Sequence, residues 1–142
     1  MSVEIRMLGP EDAAVLECVA SDVFDGPIDA GLCAEFLADT RHHLAVALDG
    51  NTVVGMASAV DYVHPDKPRE LWINEVGVAA SHRRAGVGRR LLSAIFLRGR
   101  ERGCRDAWVG TEPTNEAAHK LYADAGGRAE SFVLYAFQID KS

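Results

Sequence analysis

The nine residues HRRAGVGRR, at positions 82–90, place four arginines and two glycines in one short stretch of a chain whose formal net charge is -6. Glycines at 86 and 88 let the backbone approach an anion closely, and guanidinium groups donate charge-assisted hydrogen bonds to phosphate oxygens. The alternative is a common glycine-containing turn whose arginines only solvate a helix face. Within a helical pattern each glycine lowers helix stability by up to about 1 kcal/mol relative to alanine, so its presence needs a local reason. The stretch therefore predicts a pyrophosphate site.

A carboxylate, Glu75, lies within the otherwise apolar stretch LWINEVGVAA, at positions 71–80. Alternation along a strand places it on the same face as Ile73 and Gly77, where partial burial would raise its pKa and suit a general base. The equal alternative is a carboxylate that pairs with an arginine or orients an ammonium group. Gly77 also marks a place where the strand bulges or admits close approach by a ligand.

Other ligand classes lack their signatures. No GxxxxGK[ST] stretch is present, and no GxGxxG follows the first predicted strand. Neither the cysteines nor the histidines have disulfide or metal-ligand spacing, so we predict no metal and reduced thiols. These residues are Cys18, Cys33, Cys104, His42, His43, His64, His82 and His119.

Composition limits the class of protein. At 142 residues, with 48% hydrophobic and 25% charged positions, the chain suits one domain over residues 1–142. No apolar run approaches the roughly 20 residues that span a bilayer, and the first residues do not resemble a secretory signal. A pI near 5.3 disfavours nucleic acid and is compatible with a cationic partner. We therefore expect a cytoplasmic protein without membrane or nucleic-acid binding.

The elements that must position these groups alternate along the chain. Strands are predicted at 3–8, 43–48, 52–60, 71–80, 104–110 and 131–139. Helices are predicted at 11–20, from the cap Asp29 through Leu37, at 85–102, and from the cap Thr114 or Asn115 to Gly126. The order β-α-α-β-β-β-α-β-α-β indicates an α/β or α+β fold with one mixed sheet flanked by helices. The glycine-arginine stretch then enters the longest helix, whose N-terminus attracts anions.

The residues from Arg83 to Gly88 fit the [QR]xxGx[GA] signature of the GNAT superfamily of acetyl-CoA-dependent N-acetyltransferases. NEAAHKLYADAGG resembles the second signature of that superfamily, and the predicted order of elements matches over almost the whole chain. The resemblance implies a GNAT fold, with a single splayed sheet, and acetyl-CoA as cosubstrate.

The resemblance also implies roles for individual residues. Amides around 84–89 would cradle the pyrophosphate of coenzyme A, and Val76 and Val78 would offer backbone groups to the pantetheine arm. Asn115 would contact the pantetheine or close its slot, and Tyr122 would face the thioester. The predicted cofactor-binding residues are Val76, Gly77, Val78, Arg83, Arg84, Ala85, Gly86, Val87, Gly88, Arg89, Asn115, Ala118 and Tyr122.

Acetyl transfer to an amine sets its own chemical requirements. An alkyl amine has a pKa of about 10 and must lose a proton before it attacks, which Glu75 would accept directly or through a water. A backbone N–H near Val76 would stabilise the oxyanion, and Tyr122 would protonate the departing thiolate. The alternative for Tyr122 is a core aromatic with a hydrogen-bonded hydroxyl. Direct transfer is favoured because no histidine is evidently paired with Cys104.

Within the superfamily the chain resembles type I aminoglycoside 3-N-acetyltransferases, in IRMLGPEDA, in the middle of the chain and in YAFQID, although that group has aspartate in place of Glu75. The resemblance implies a small cationic amine as acceptor. The predicted acceptor-binding carboxylates are Asp25, Asp61, Glu75 and Glu112. The alternatives are a protein lysine or N-terminal acetyltransferase and a non-catalytic acyl-CoA binding module. Aromatic residues of the final strand are compatible with a homodimer.

Overall fold

The computed structural model describes residues 2–140, in which five strands form one sheet of order β1-β2-β3-β4-β5. Strands β1 to β4 are antiparallel and β5 is parallel to β4, so the sheet is mixed as predicted. The strands are β1 Val3–Met7, β2 His42–Asp49, β3 Thr52–Tyr62, β4 Glu70–Val78 and β5 Asp106–Val109. The helices are α1 Ala30–Ala38, α2 Val87–Glu101 and α3 Glu116–Asp124. Two 3₁₀ turns occupy Ala13–Glu17 and Ala80–His82.

Strands β2 and β3 form the centre of the core and are buried almost throughout. Continuous apolar sequence is what a strand needs when both of its faces are covered. Helix α2 covers one face, where Leu91, Leu92 and Ile95 are fully buried. A Cβ atom at Gly55 of β3 would lie 3.2 Å from the side chains of Leu91 and Val87, so this glycine lets α2 pack close to the sheet.

Side-chain caps fix the starts of two helices. The Asp29 carboxylate accepts a hydrogen bond from the Leu32 amide at 2.8 Å, as predicted for α1. Asn115 is the cap of α3, because its side-chain oxygen accepts from the Ala118 amide at 3.1 Å. The choice that the sequence left open between Thr114 and Asn115 is thereby made.

The helix predicted over residues 11–20 is wrong, since only the 3₁₀ turn Ala13–Glu17 forms there. Beyond this turn the chain pairs with β3. The Val53 amide donates to the Cys18 carbonyl, and the Ala20 amide donates to the Val53 carbonyl, both at 2.9 Å. An isolated bridge joins Val19 to Val53. This long-range pairing outcompetes the local helical pattern.

The final strand predicted over residues 131–139 is also wrong for this single copy, because these residues do not pair with any strand of the sheet. Its large apolar side chains are exposed. Apolar sequence supplies a strand's preference but not its hydrogen-bonding partner.

Strands β4 and β5 separate after a short pairing. Only Glu70–Ile73 of β4 pairs with Asp106–Val109 of β5. The remaining half of β4, up to Val78, has no strand on that side among residues 2–140. The sheet is therefore splayed at the end of β4 that leads towards α2.

Candidate active site

The turn into α2 presents open backbone donors. Gly86 is the N-cap residue with φ +77°, and apart from its chain neighbours no atom of residues 2–140 lies within 4 Å of the place where its Cβ would be. Arg84 also adopts a positive φ of 62°. The Arg90 amide donates to the Gly86 carbonyl at 3.1 Å, which is the first bond of the helix. The preceding amides of the first turn have no intrahelical acceptor, and no side chain caps them. An anion fits this end of the helix.

Gly88 also has a packing role, which the sequence did not predict. A Cβ atom there would lie 3.2 and 3.3 Å from the two Cδ atoms of Leu121, so the glycine admits α3 against the start of α2. The Arg89 guanidinium donates to the Asp124 carbonyl, which ties the same two helices together. Of the two glycines, Gly86 is the one whose missing side chain faces open space.

The open edge of β4 has unpaired backbone groups. The Ala79 amide donates to the Val54 carbonyl of β3 at 2.8 Å. Because successive residues of a strand direct their backbone groups to opposite edges, those of Val78 and Val76 face away from β3, into the splay. The Arg83 guanidinium already donates to the Val78 carbonyl at 3.0 Å. These are the groups that the sequence assigned to the pantetheine arm.

A β-bulge turns Glu75 to a different face from the one predicted. Ile73 pairs with Ala59 and Glu75 pairs with Ser58, so one extra residue of β4 lies between two consecutive residues of β3. Paired residues share a face and consecutive residues do not. Glu75 therefore lies on the opposite face from Ile73, although it still shares a face with Gly77. Sequence alternation alone could not reveal this inserted residue.

The loop formed by residues 21–29 packs against β4 beside Glu75. A Cβ atom at Gly77 would collide with the carbonyl oxygen of Val23, so the close approach at this glycine is made by the chain itself and not by a ligand. The Ala80 amide donates to the Asp22 carboxylate at 2.8 Å and anchors the loop further. The structure thus brings the loop that carries Asp25, a predicted acceptor-binding residue, to the strand of the candidate base.

Two effects raise the pKa of the Glu75 carboxyl. Partial burial is the larger, and the negative charge of Asp25 is the second. The Glu75 side chain nevertheless stays accessible. A reachable carboxylate whose pKa lies above its ordinary value is suited to accept a proton.

Tyr122 is half-buried on α3 and packs against the core. Burial raises the pKa of its phenol, which therefore keeps its proton at neutral pH. The acid role of Tyr122 and its alternative as a core aromatic both stay predictions. On the preceding turn, Asn115 and Ala118 form the helix cap, and the cap occupies the Asn115 side-chain oxygen.

Asp61, predicted to bind the acceptor, is instead fully buried. Its carboxylate accepts hydrogen bonds from Arg69 at 2.7 Å and Arg102 at 2.9 Å, and lies 2.6 Å from Nε2 of His43. Burial alone would raise the pKa of Asp61, but the hydrogen bonds from Arg102, His43 and Arg69 outweigh it and hold the pKa at about 2. Asp61 is a structural residue. The predicted strand ended at residue 60, which left Asp61 in a loop. In the structure β3 continues to Tyr62 and places Asp61 within the sheet.

Glu112 lies exposed in the loop before α3. Its backbone carbonyl accepts from the Asn115 amide at 3.1 Å and from the His119 ring at 3.2 Å. No described contact joins its carboxylate to Glu75 or Asp25, so its acceptor role stays a prediction. Among residues 2–140 there is no group of three or more histidine, cysteine and acidic residues that could hold a metal ion. Nor does any described helix have the length and apolar character to cross a membrane.

The sequence matches the Acetyltransferase (GNAT) family over residues 15–126, and the chain belongs to this family. It is similar to the L-2,4-diaminobutyric acid acetyltransferase of Shouchella clausii, with 32% identity over 91 residues, 64% of this chain and 48% of that protein. It is also similar to aminoglycoside N(6')-acetyltransferase type 1 of Salmonella typhimurium, with 28% identity over 99 residues, 66% of this chain and 68% of that protein. The chain thus spans about half the length of the first relative.

Among solved structures, the chain is similar to AAC(6')-Iy in complex with the bisubstrate analogue CoA-S-monomethyl-acetylneamine, with a TM-score of 0.81 and 21% identity over 97% of this chain and 99% of the other. At this identity the likeness shows the fold, and it confirms the predicted GNAT fold. The aminoglycoside relatives are of the 6' type, so the comparisons support a resemblance to aminoglycoside acetyltransferases without singling out the 3-N type.

Proposed function

We propose that this protein is an N-acetyltransferase that moves an acetyl group directly from acetyl-CoA to a primary amine of a small cationic acceptor. The observation that carries the proposal is the splay of β4 from β5, which leads into the uncapped start of α2 in a chain of the GNAT family. Two relatives are named for the acetylation of amines, diaminobutyric acid and aminoglycosides. We further propose that residues 1–142 act as one domain, in the cytoplasm and as a homodimer.

The residues present fit coenzyme A. Amides of 84–89 at the positive end of the α2 dipole suit its diphosphate, and the open surroundings of Gly86 leave room for it. The outward backbone groups of Val76 and Val78 suit the amides of the pantetheine arm, which would lie along the edge as an added strand. Arg83 would release the Val78 carbonyl as the arm enters.

In the proposed reaction Glu75 accepts a proton from the acceptor and Tyr122 donates a proton to the leaving group. Glu75 takes a proton from the acceptor ammonium, directly or through a water, and the freed amine attacks the thioester carbonyl carbon. A backbone N–H near Val76 stabilises the oxyanion. The C–S bond breaks as the carbonyl re-forms, and Tyr122 gives its proton to the departing thiolate. After the attack the nitrogen still carries two hydrogens; one of these protons passes to the Tyr122 phenolate, which restores the phenol and leaves a neutral amide with the new C–N bond.

The acceptor is selected by carboxylates. Asp25 and Glu75 lie close enough for the charge of one to raise the pKa of the other, and such a pair attracts a molecule with several ammonium groups. Aminoglycosides are the sharpest proposal and polyamines the milder one. The 3-amine is proposed from the sequence resemblance, and the 6' relatives make the 6'-amine its competitor; the NMR spectrum of the product distinguishes the two.

Release of free thiol from acetyl-CoA tests the proposal against panels of aminoglycosides, polyamines and peptides. We expect release that depends on a small polyamine-like acceptor, and a loss of about a hundredfold or more in kcat/KM for Glu75→Gln. Glu35→Gln removes an exposed carboxylate on α1 and serves as the control. Release with peptides alone would indicate a protein acetyltransferase, and binding of acetyl-CoA with no thiol release for any acceptor would indicate a non-catalytic binding module; either would overturn the proposal.

A further inference from the structure

A cavity of about 690 Å³ lies between the 3₁₀ turn Ala13–Glu17, the loop formed by residues 21–29 and helix α1. Its walls are mainly apolar, and the polar side chains among them are those of Glu17 and Ser21. The apolar wall includes Leu16, Val19, Phe24 and Cys33. Cavities of roughly 300 to 1,000 Å³ with apolar walls and few polar groups are typical of sites for small molecules. The proposed acetyl transfer makes no use of this cavity.

The pieces of chain around the cavity are each anchored. The chain after the 3₁₀ turn is bridged to β3 through Val19 and Val53. The loop is held at Ala80, whose amide donates to the Asp22 carboxylate at 2.8 Å. Helix α1 begins at its cap Asp29. The cavity is therefore held open by contacts of the domain itself, as most sites for small molecules are.

All of the lining residues come from a stretch of chain with one sign of charge. Residues 7–40 contain no lysine, arginine or histidine. Their carboxylates are those of Glu11, Asp12, Glu17, Asp22, Asp25, Asp29, Glu35 and Asp39. Glu17 is exposed at the cavity and takes part in no ion pair among residues 2–140. A positively charged ligand is therefore attracted to this part of the molecule, and an anion is repelled.

The cavity and the carboxylates proposed for the acceptor are different places. Phe24 and Gly26 line the cavity, whereas Asp25 between them does not. Asp25 instead lies close enough to Glu75 for its charge to raise the pKa of that carboxyl. Glu75 does not line the cavity either. The same loop thus contributes different residues to the cavity and to the candidate acceptor site.

We propose that this cavity binds a small organic monocation with an apolar body, of the arylalkylammonium or alkylammonium class, at a site separate from that of the acceptor. The apolar body lies against Leu16, Phe24 and Cys33, and the ammonium group lies beside the Glu17 carboxylate. Burial of the apolar body provides most of the affinity, because an ion pair at an exposed carboxylate contributes little. A polyamine lacks that body and is therefore a poor ligand for the cavity.

Alkylation of cysteines by N-ethylmaleimide tests where the ligand binds. Cys33 lines the cavity and Cys104 does not, but both are half-buried and burial raises the pKa of both thiols, so Cys104 is a matched internal control. With 2-phenylethylamine at about ten times its Kd, we expect alkylation of Cys33 to slow about tenfold and that of Cys104 to be unchanged. Peptide mass spectrometry measures both rates. Unchanged alkylation of Cys33, or equal slowing of both cysteines, would overturn the proposal.

Calorimetry with matched probes tests the class of ligand. We expect 2-phenylethanol, which has the same body without the charge, to bind about threefold to fivefold more weakly than 2-phenylethylamine. Putrescine, which has charge without an apolar body, should not protect Cys33 from alkylation. Tighter binding of the alcohol than of the amine would contradict a site for cations. Protection of Cys33 by putrescine would contradict the need for an apolar body.

Variants separate this site from the proposed acceptor site. Glu17→Gln should weaken binding of 2-phenylethylamine about threefold to fivefold, and Glu35→Gln, at an exposed carboxylate of the same acidic stretch that does not line the cavity, should not change it. Glu75→Gln should also leave the affinity unchanged. Affinity that falls in Glu75→Gln but not in Glu17→Gln would place the amine in the acceptor site and overturn the proposal. None of these measurements depends on acetyltransferase activity.

Discussion

At the scale of single residues, Asp25 tunes the candidate base. Its charge is the second cause, after partial burial, of the raised pKa of Glu75. Because the base acts when deprotonated, removing a neighbouring negative charge lets it act at lower pH. We therefore expect Asp25→Asn to shift the acidic limb of the pH profile of kcat/KM to lower pH. The control Glu35→Gln, which removes one charge from α1, should leave this limb in place. An acidic limb that does not move in Asp25→Asn would mean that the charge of Asp25 does not act on Glu75.

Gly86 offers a second test, because the chain contains a matched glycine. Gly86 and Gly103 flank the two ends of α2 with φ values of +77° and +85°, and neither has an atom within 4 Å of its missing Cβ. Valine at either position should cost similar stability, roughly 1 to 2 kcal/mol of backbone strain. Only Gly86→Val should lose binding of coenzyme A, measured by calorimetry. Equal affinity in both variants would argue against a diphosphate at this turn.

At the scale of elements, the packing of the loop formed by residues 21–29 against β4 depends on Gly77. A methyl group there meets the Val23 carbonyl, which is backbone and cannot rotate away. We expect Gly77→Ala to lower the free energy of unfolding by roughly 1 to 3 kcal/mol and to raise KM for the acceptor. Denaturant unfolding and steady-state kinetics measure the two effects. Gly110→Ala, which adds a methyl group in open space, should change neither, and a Gly77→Ala variant with normal stability would contradict this packing.

Local signals in the sequence predicted local structure well at this scale. The cap at Asp29 and the entry into α2 at Gly86 depend on residues that are neighbours along the chain. The failures depend on distant partners: the pairing of Val19 with Val53 shortens the first helix, and the bulge opposite Ser58 turns Glu75 to the other face. No periodicity within one segment contains that information.

In the candidate site, too, the features that depend on neighbouring residues were predicted and those that depend on distant residues were not. The arginine-glycine signature and the strand before it predicted a turn into the longest helix, and the structure confirms this turn at Gly86; that the turn and the backbone of Val76 and Val78 bind coenzyme A stays a prediction. The packing role of Gly88 was not predicted because Leu121, which lies against it, is 33 residues away along the chain. Asp61 was missed because its arginine partners come from a loop and from the last turn of α2.

At the scale of the whole molecule, Asp61 joins the sheet to the end of α2. Its pKa falls from 3.8 to about 2 on folding, which corresponds to roughly 2 kcal/mol of stability above pH 4 that is lost as the pH falls from about 4 to about 2. The lowered pKa of His43, due chiefly to burial, acts in the same direction because protonation favours the unfolded chain. Stability should therefore decline towards acid.

We expect Asp61→Asn to lower the free energy of unfolding at pH 7 by at least about 2 kcal/mol, because it leaves Arg102 and Arg69 without their partner. Urea unfolding across pH measures this, and the difference from the wild-type protein should shrink below pH 4. Asp106→Asn, at an exposed residue of β5, is the control. A constant difference down to pH 2 would mean that ionisation of Asp61 is not what stabilises the fold.

The contact between Gly88 and Leu121 makes the two ends of the proposed cofactor slot interdependent. Leu121 precedes the phenol-bearing residue, and its methyl groups rest where a side chain at 88 would be. The distance between the start of α2 and Tyr122 therefore depends on residue 88 having only a hydrogen atom as its side chain. A bulkier residue at 88 would push Leu121, and with it Tyr122, away from the start of α2, so the phenol would no longer reach the thioester of a coenzyme A that binds as proposed at Gly86.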